Sequence, residues 1–278
     1  MSSGLMSAKN ALVLVCLIVL SACSSTAEKT RKRQSELYFG AGTQSLMTQD
    51  YTNALTNLIK ANNLDPNNPE ILNNLGMAYY FKGEKHLCLK TLKKTLEIDE
   101  NNSDAKLNLA SIYFQDGDLN RAEKLYKSVL KNLTYERQAR TLYNLGILEV
   151  KRNNFNVAAN YFAKAIKEDS NYCPAFYQLG LLNYNRSQFN IALKNFKEAT
   201  LGTCYDSPAA HYHLGLTYRN LKRFNEARMK FDEIDARFKD TEYATMARKK
   251  TMELGEVEDN ALIEESHASR KVLESPEF

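Results

Sequence analysis

A unit of about thirty-four residues recurs along this chain, and an internal period of that length excludes most folds before any single residue is considered. Six small residues mark it: Gly42, Gly76, Ala110, Gly146, Gly180 and Gly215, at spacings of 34, 34, 36, 34 and 35 residues. Twelve positions after each stand Ala54, Cys88, Ala122, Ala158, Ala192 and Ala227. Four further on come Leu58, Leu92, Tyr126, Phe162, Phe196 and Phe231, all bulky. Immediately before the small residues are Ala41, Leu75, Leu109, Leu145, Leu179 and Leu214. Small residues on two neighbouring helices let their backbones approach closely, and the bulky residues then fill the space between. Each unit therefore reads as a helical hairpin that buries its apolar face only by stacking on the next. Gly (11) and Pro (5) are too scarce in 278 residues for a turn-rich β fold, which agrees.

The unit has Leu-Gly or Leu-Ala, a Tyr three residues on (Tyr79, Tyr113, Tyr218), then small, aromatic and small residues (Ala61, Ala165, Ala199). This pattern resembles the tetratricopeptide repeat over residues 35–242. The resemblance implies an all-α superhelix, an α-solenoid of about six helix-turn-helix repeats. Turn chemistry supports the boundaries: Asn68-Pro69 and Ser207-Pro208 read as N-caps followed by Pro at the first helical position, and Asp65-Pro66 closes a helix. Departures are Cys88 and Thr95 at small positions and a two-residue insertion near Tyr135 to Gln138, which predicts a longer loop between the third and fourth units. Residues 243–254 have helical spacing and are expected to cap the last apolar face. Residues 255–278, acidic and polar, read as a disordered tail.

The N-terminus is a separate region. Lys9, an apolar run of ten from Ala11 to Leu20, and then Leu20-Ser21-Ala22-Cys23 form a secretory signal pattern. Ten helical residues reach about 15 Å, half a bilayer core, which disfavours a spanning helix. Leu-Ser-Ala-Cys resembles a bacterial lipobox, implying removal of residues 1–22 and lipidation of Cys23. Ser24 rather than Asp after the cysteine implies outer-membrane sorting, with the protein on the periplasmic face. Residues 23–34 would be a polar tether. The remaining cysteines are Cys88, Cys173 and Cys204, an odd number in an export compartment. Cys173 and Cys204 lie where the fifth and sixth units begin, so either a disulfide between them or two free thiols is open. Cys88 sits at a packing position and is expected to be a buried thiol.

No catalytic constellation stands out, so an enzyme is not expected. Phosphate-loop, dinucleotide-loop and nucleophile-elbow motifs are absent. The formal charge, 37 − 33 = +4, falls short of a nucleic-acid binder. Cys204, His211 and His213 lack zinc-ligand spacing, so neither a metal nor another cofactor is expected.

In tetratricopeptide proteins, set positions of each first helix line a concave groove. That register implies Asn73, Met77 and Tyr80; Leu107, Ser111 and Phe114; Tyr143, Ile147 and Val150; Tyr177, Leu181 and Tyr184; and Tyr212, Leu216 and Arg219. This lining is mostly apolar and aromatic, suited to burying a protein segment while tyrosine hydroxyls bond its backbone. The alternative, that these aromatics pack on the neighbouring helix, is equally open at each position. A carboxylate clamp would have only Asn73, Asn74, Asn108, Asn144 and Arg219 to draw on. An outer-membrane lipoprotein of six such repeats resembles the pilotins of type IV pilus systems, with Leu133 to Phe176 as the segment of strongest resemblance. That implies a groove binding secretin subunits and promoting their outer-membrane localisation and assembly. The rival readings are a general envelope adaptor docking peptidoglycan enzymes and a component of outer-membrane barrel assembly.

Overall fold

The computed structural model describes the backbone of residues 8–255, with side chains over 28–255 apart from that of residue 203. Among the described residues there are helices and no strand: α1 (Ala8–Met47), α2 (Tyr51–Leu64), α3 (Pro69–Phe81), α4 (Lys85–Ile98), α5 (Ser103–Gln115), α6 (Leu119–Val129), α7 (Gln138–Lys151), α8 (Phe155–Glu168), α9 (Cys173–Asn185), α10 (Phe189–Ala199), α11 (Pro208–Asn220) and α12 (Phe224–Arg237). A 3-10 turn covers Gly202–Cys204, and a last helix, α13, covers 242–255. The chain divides into two compact units, 1–132 and 133–278. In the first, α1 pairs with α2, α3 with α4 and α5 with α6; in the second, α7 pairs with α8, α9 with α10 and α11 with α12. Within each unit every hairpin stacks on the next, which is the all-α solenoid arrangement.

The turn inside each hairpin has one conformational origin. Seven residues beyond each small residue stand Gln49, Gly83, Gly117, Asn153, Ser187 and Lys222, and all six have positive φ, between 58° and 83°. Each closes a paired hydrogen-bond motif at the end of the first helix. Gly83 N–H donates to Tyr80 O at 3.0 Å and Glu84 N–H to Tyr79 O at 2.9 Å; Lys222 N–H donates to Arg219 O and Arg223 N–H to Tyr218 O, both at 2.9 Å. A left-handed residue at this point satisfies the last carbonyls and reverses the chain. Only two of the six are glycine, so four turns accept the steric cost of a side chain there. Asp50 and Asp118 cap the helices that follow, accepting from Asn53 N–H and Arg121 N–H.

Packing follows the small and bulky columns. A methyl added to Gly146 would lie 2.4 Å from the Phe162 ring, and one on Gly180 2.5 Å from Phe196. Where the small residue is glycine, the bulky side chain of the second helix therefore rests directly on its bare Cα; in the third hairpin Ala110 takes that place. Leu58, Leu92, Tyr126, Phe162, Phe196 and Phe231 are all essentially inaccessible.

Helix continues at both ends of the repeats. Residues 24–33, expected as a tether, are helical and continuous with α1. No Gly or Pro interrupts residues 5–39, and Ala, Glu, Lys, Arg and Gln are good helix formers. α13 packs Ala244, Ala247 and Leu254 inward, the latter two in one cluster with Phe231 and Ile234. Residues 1–7 and 256–278 and the Cys23 side chain lie outside the described residues, so the signal, tail and lipidation expectations there stand apart from the fold. No helix among the described residues is long and apolar enough to cross a membrane.

Candidate protein-binding face

The first helices present a face in each unit, and the fifteen residues expected to line it divide sharply. Asn73 (7% exposed), Leu107 (1%) and Tyr212 (5%) are buried and offer nothing to a ligand. They occupy one column, three residues before the small residue, with Tyr143 and Tyr177. That column forms the joint between successive first helices: Asn108 Nδ2 donates to Asn73 Oδ1 at 3.0 Å, Gln178 hydrogen-bonds the Tyr143 hydroxyl, and the Tyr212 ring packs 5.7 Å from that of Tyr243 on α13. The other twelve, Met77, Tyr80, Ser111, Phe114, Tyr143, Ile147, Val150, Tyr177, Leu181, Tyr184, Leu216 and Arg219, are half-buried.

The tyrosine hydroxyls, expected to be available to a ligand, are largely engaged within the fold. Tyr80 bonds Gln115, Asn220 Nδ2 donates to the Tyr184 oxygen at 2.7 Å, and the Tyr177 oxygen lies 3.3 Å from His213 Nδ1. Arg219 faces Glu253 at 3.4 Å and so is committed to α13 rather than free to clamp a carboxylate. In the second unit the half-buried remainder of this face is apolar, centred on Ile147, Leu181 and Leu216.

One column joins successive first helices, and it includes three of the asparagines considered above for a carboxylate clamp. Asn74, Asn108, Asn144, Gln178 and His213 each stand two residues before the small residue. Asn74 Nδ2 reaches Thr43 Oγ1 at 2.9 Å, and Asn108, Gln178 and His213 reach the preceding first helix as described above. The signal, a polar residue directly before Leu-Gly or Leu-Ala, was present in the alignment of units.

His213 sits among aromatic rings, stacked on Phe196 at 5.7 Å and edge-on to Tyr177, Tyr184 and Tyr212. Its Nδ1 lies 2.9 Å from the Ala209 carbonyl, which can only accept, so that nitrogen carries the proton. His211 is 2% exposed; its Nε2 donates to Tyr205 O at 2.8 Å, leaving Nδ1 bare and 3.6 Å from Glu233. Burial opposes the Glu233 charge, yet hydrogen bonds from Lys230 and Arg237 hold its carboxyl below the usual value. Burial is also the main cause holding both imidazoles below their ordinary 6.5, and it pushes the Tyr177 hydroxyl up to about 12.

The sign of the pH effect follows. Below 6.5 the unfolded chain binds protons that the native state refuses, so stability is complete above 6.5 and is lost as the pH falls towards the native values. The midpoint of urea unfolding is expected to be level above pH 7 and to fall between pH 6.5 and 5, before the carboxylates titrate. His213→Gln, which places there the amide other units use, should shrink that fall.

Cys173 and Cys204 form a disulfide, with Cα atoms 6.0 Å apart, and Cys88 is a buried free thiol whose pKa desolvation raises to about 11. The bonded Cys204 sulfur cannot serve as a zinc thiolate beside His211 and His213. Among the described residues no group of three or more His, Cys, Asp or Glu is placed to hold a metal ion.

Comparison with known proteins places these features. Residues 48–83 match a family described as TPR repeat, and residues 69–102, 101–167 and 177–240 match families described as tetratricopeptide repeat. Pseudomonas aeruginosa PilF superposes with a TM-score of 0.68 at 15% identity, over 80% of this chain and 99% of that one. PilW, a widely conserved type IV pilus biogenesis factor, gives 0.64 at 19%, over 76% and 97%. The Cut9–Hcn1 hetero-tetramer of the APC/C gives 0.66 at 16%, over 78% of this chain but 43% of that chain. At such identities the likeness is one of fold. No curated protein matches the chain.

Proposed function

The chain is a tetratricopeptide-repeat protein, and from that premise we propose that it is a non-enzymatic scaffold of the bacterial envelope, a pilotin that binds secretin subunits and promotes their outer-membrane assembly for type IV pilus biogenesis. The observation that carries the binding role is the apolar strip of Ile147, Leu181 and Leu216 on the first-helix face, half-buried in a fold whose family ordinarily works by binding proteins. The pilus assignment draws on the fold shared with PilF and PilW over nearly the whole of those chains. Export is supported by the Cys173–Cys204 disulfide, a bond that persists in oxidising compartments. Lipidation at Cys23 would supply the anchor and the outer-membrane location.

Capture of secretin from detergent-solubilised envelopes by the tagged, lipidated protein tests the reading. Leu181→Ala with Leu216→Ala is expected to cut recovery at least tenfold while helicity measured by circular dichroism stays the same. Recovery of peptidoglycan enzymes or barrel-assembly subunits without secretin would replace the pilotin reading with the adaptor one. Cys23→Ala should move the protein out of the outer-membrane fraction; unchanged fractionation would remove the lipid anchor.

A further inference from the structure

The first unit holds an open hollow of about 370 Å³ at the end of its third hairpin, where the start of α5 meets the end of α6. Asn101, Ser103 and Lys106 line it from the α5 side, and Ser128, Lys131 and Asn132 from the α6 side. That volume is in the range of about 300–1,000 Å³ usual for ligand sites. The lining contains no acid, no aromatic ring and no apolar residue.

Two independent observations indicate the occupant. The first is a surplus of donors. Among the described residues the ammonium groups of Lys106 and Lys131 form no ion pair or hydrogen bond, and the Asn101 amide and Ser128 hydroxyl are equally free. Ser103 is 7% exposed, and its Oγ accepts from Asn132 Nδ2 at 3.0 Å, so its own hydroxyl proton is left to give. The neighbouring acids do not answer these donors. Asp99 Oδ1 accepts from Asn101 N–H at 3.0 Å, Asp104 has a partner already, and neither of them nor Glu100 lines the hollow. The second observation is a break in the repeat. Four residues before the small residue the other hairpins carry Tyr38, Leu72, Leu142, Phe176 and His211, and the third alone carries a lysine, Lys106. Leu72 and His211 are each 2% exposed, which marks a packing position, and Lys106 is half-buried there. A charge drawn from water without a partner costs stability, and an anion that supplies the partner recovers it.

We infer that this hollow binds the phosphate ester of a polyol, its phosphate beside Lys106 and Lys131 and its hydroxyls answered by Ser128 and Asn101. A phosphate group offers only acceptors at neutral pH, which matches a lining whose free groups are donors. With no ring to stack on and no apolar wall, the site suits neither a nucleotide base nor an acyl chain. The same chemistry is carried by a soluble polyol phosphate and by the headgroup of an anionic phospholipid whose chains stay outside. None of these residues belongs to the face proposed for secretin, and the inference does not depend on that reading.

The test is titration calorimetry of the full chain with glycerol phosphate, with glycerol, and with phosphatidylglycerol vesicles. A phosphate ester is expected to bind and glycerol is not. Lys106→Leu, which restores the residue of the second hairpin, should raise the urea midpoint and at the same time weaken the phosphate ester at least tenfold, a combination that a purely structural lysine would not give. Lys106→Arg should stay within threefold of the original affinity. Lys90→Ala with Lys93→Ala, exposed cations of the same unit, should leave binding intact. Binding of glycerol phosphate that Lys106→Leu removes assigns a soluble ligand, and binding of the vesicles alone with the same dependence assigns a lipid headgroup. Equal affinity for glycerol, binding of neither phosphate ester, indifference to Lys106→Leu, or an equal loss in Lys90→Ala with Lys93→Ala would overturn the inference.

Discussion

Phe196→Ala is expected to destabilise the second unit by about 3–5 kcal/mol, the range for emptying a fully buried aromatic site. Phe196 is 0% exposed and belongs to a cluster with Ala192, Leu193 and Leu214. Its ring lies over Gly180, within 5.9 Å of the Tyr177 ring and 5.7 Å of the His213 ring. The cavity would therefore open where α9, α10 and α11 meet, and neighbouring hairpins cannot collapse into it without moving off the repeat spacing. Gly180→Ala attacks the same contact from the other side. Its methyl would meet the ring at 2.5 Å, and overpacking of this kind costs about 1–3 kcal/mol. Combining Gly180→Ala with Phe196→Leu should cost less than the sum of the two, because the narrower side chain makes room for the methyl. The second hairpin already pairs a glycine with a leucine, where a methyl on Gly76 would stand 3.0 Å from Leu92. Denaturant unfolding followed by circular dichroism measures all four values. A strictly additive result would mean that the ring and the glycine do not share the contact described.

The columns behind this prediction were legible in the sequence because they are defined by side-chain size at a fixed interval. Gly146 and Phe162, sixteen residues apart, announce their contact by volume alone. The left-handed turn column was not legible for the opposite reason. Gln49, Gly83, Gly117, Asn153, Ser187 and Lys222 share a backbone conformation but no chemistry, and only alignment of the dihedrals brings them together. The candidate face was legible in part. Family register placed Leu181 and Leu216 on the open side, but it placed Leu107 and Tyr212 there too. Register counts positions along a helix, whereas burial depends on what the next helix brings, and for Tyr212 that is α13 with Tyr243 and Ala247. The helical state of residues 24–33 was not legible because a polar, charged composition suits an irregular linker and a solvated helix equally well, and only the absence of breakers separates them.

Removing the Cys173–Cys204 bond is expected to cost the second unit roughly 3–4 kcal/mol, from the loop-closure entropy returned to the unfolded chain by a 31-residue separation. The bond joins the first residue of α9 to the 3-10 turn ahead of α11, so the α9–α10 hairpin lies within the closed loop. Non-covalent contacts hold the same segment: Tyr205 O accepts from His211 Nε2 and from Arg237 Nη2, and the Arg237 guanidinium lies 3.9 Å from the centre of the Tyr205 ring. With those contacts in place the native geometry should survive loss of the bond, and the effect should fall on the unfolded state. Cys173→Ser with Cys204→Ser is thus predicted to keep the circular dichroism spectrum of the oxidised protein and to lower its unfolding midpoint. Dithiothreitol should lower the midpoint of the unsubstituted protein by the same amount and leave that of the double variant where it was. Cys88 provides the internal control, since its buried thiol, with a pKa of about 11, has little thiolate to react before the first unit opens. If the double variant instead lost helicity with no denaturant present, the bond would be holding the folded state together rather than constraining the unfolded chain, and the contacts around Tyr205 would be insufficient to seat the turn.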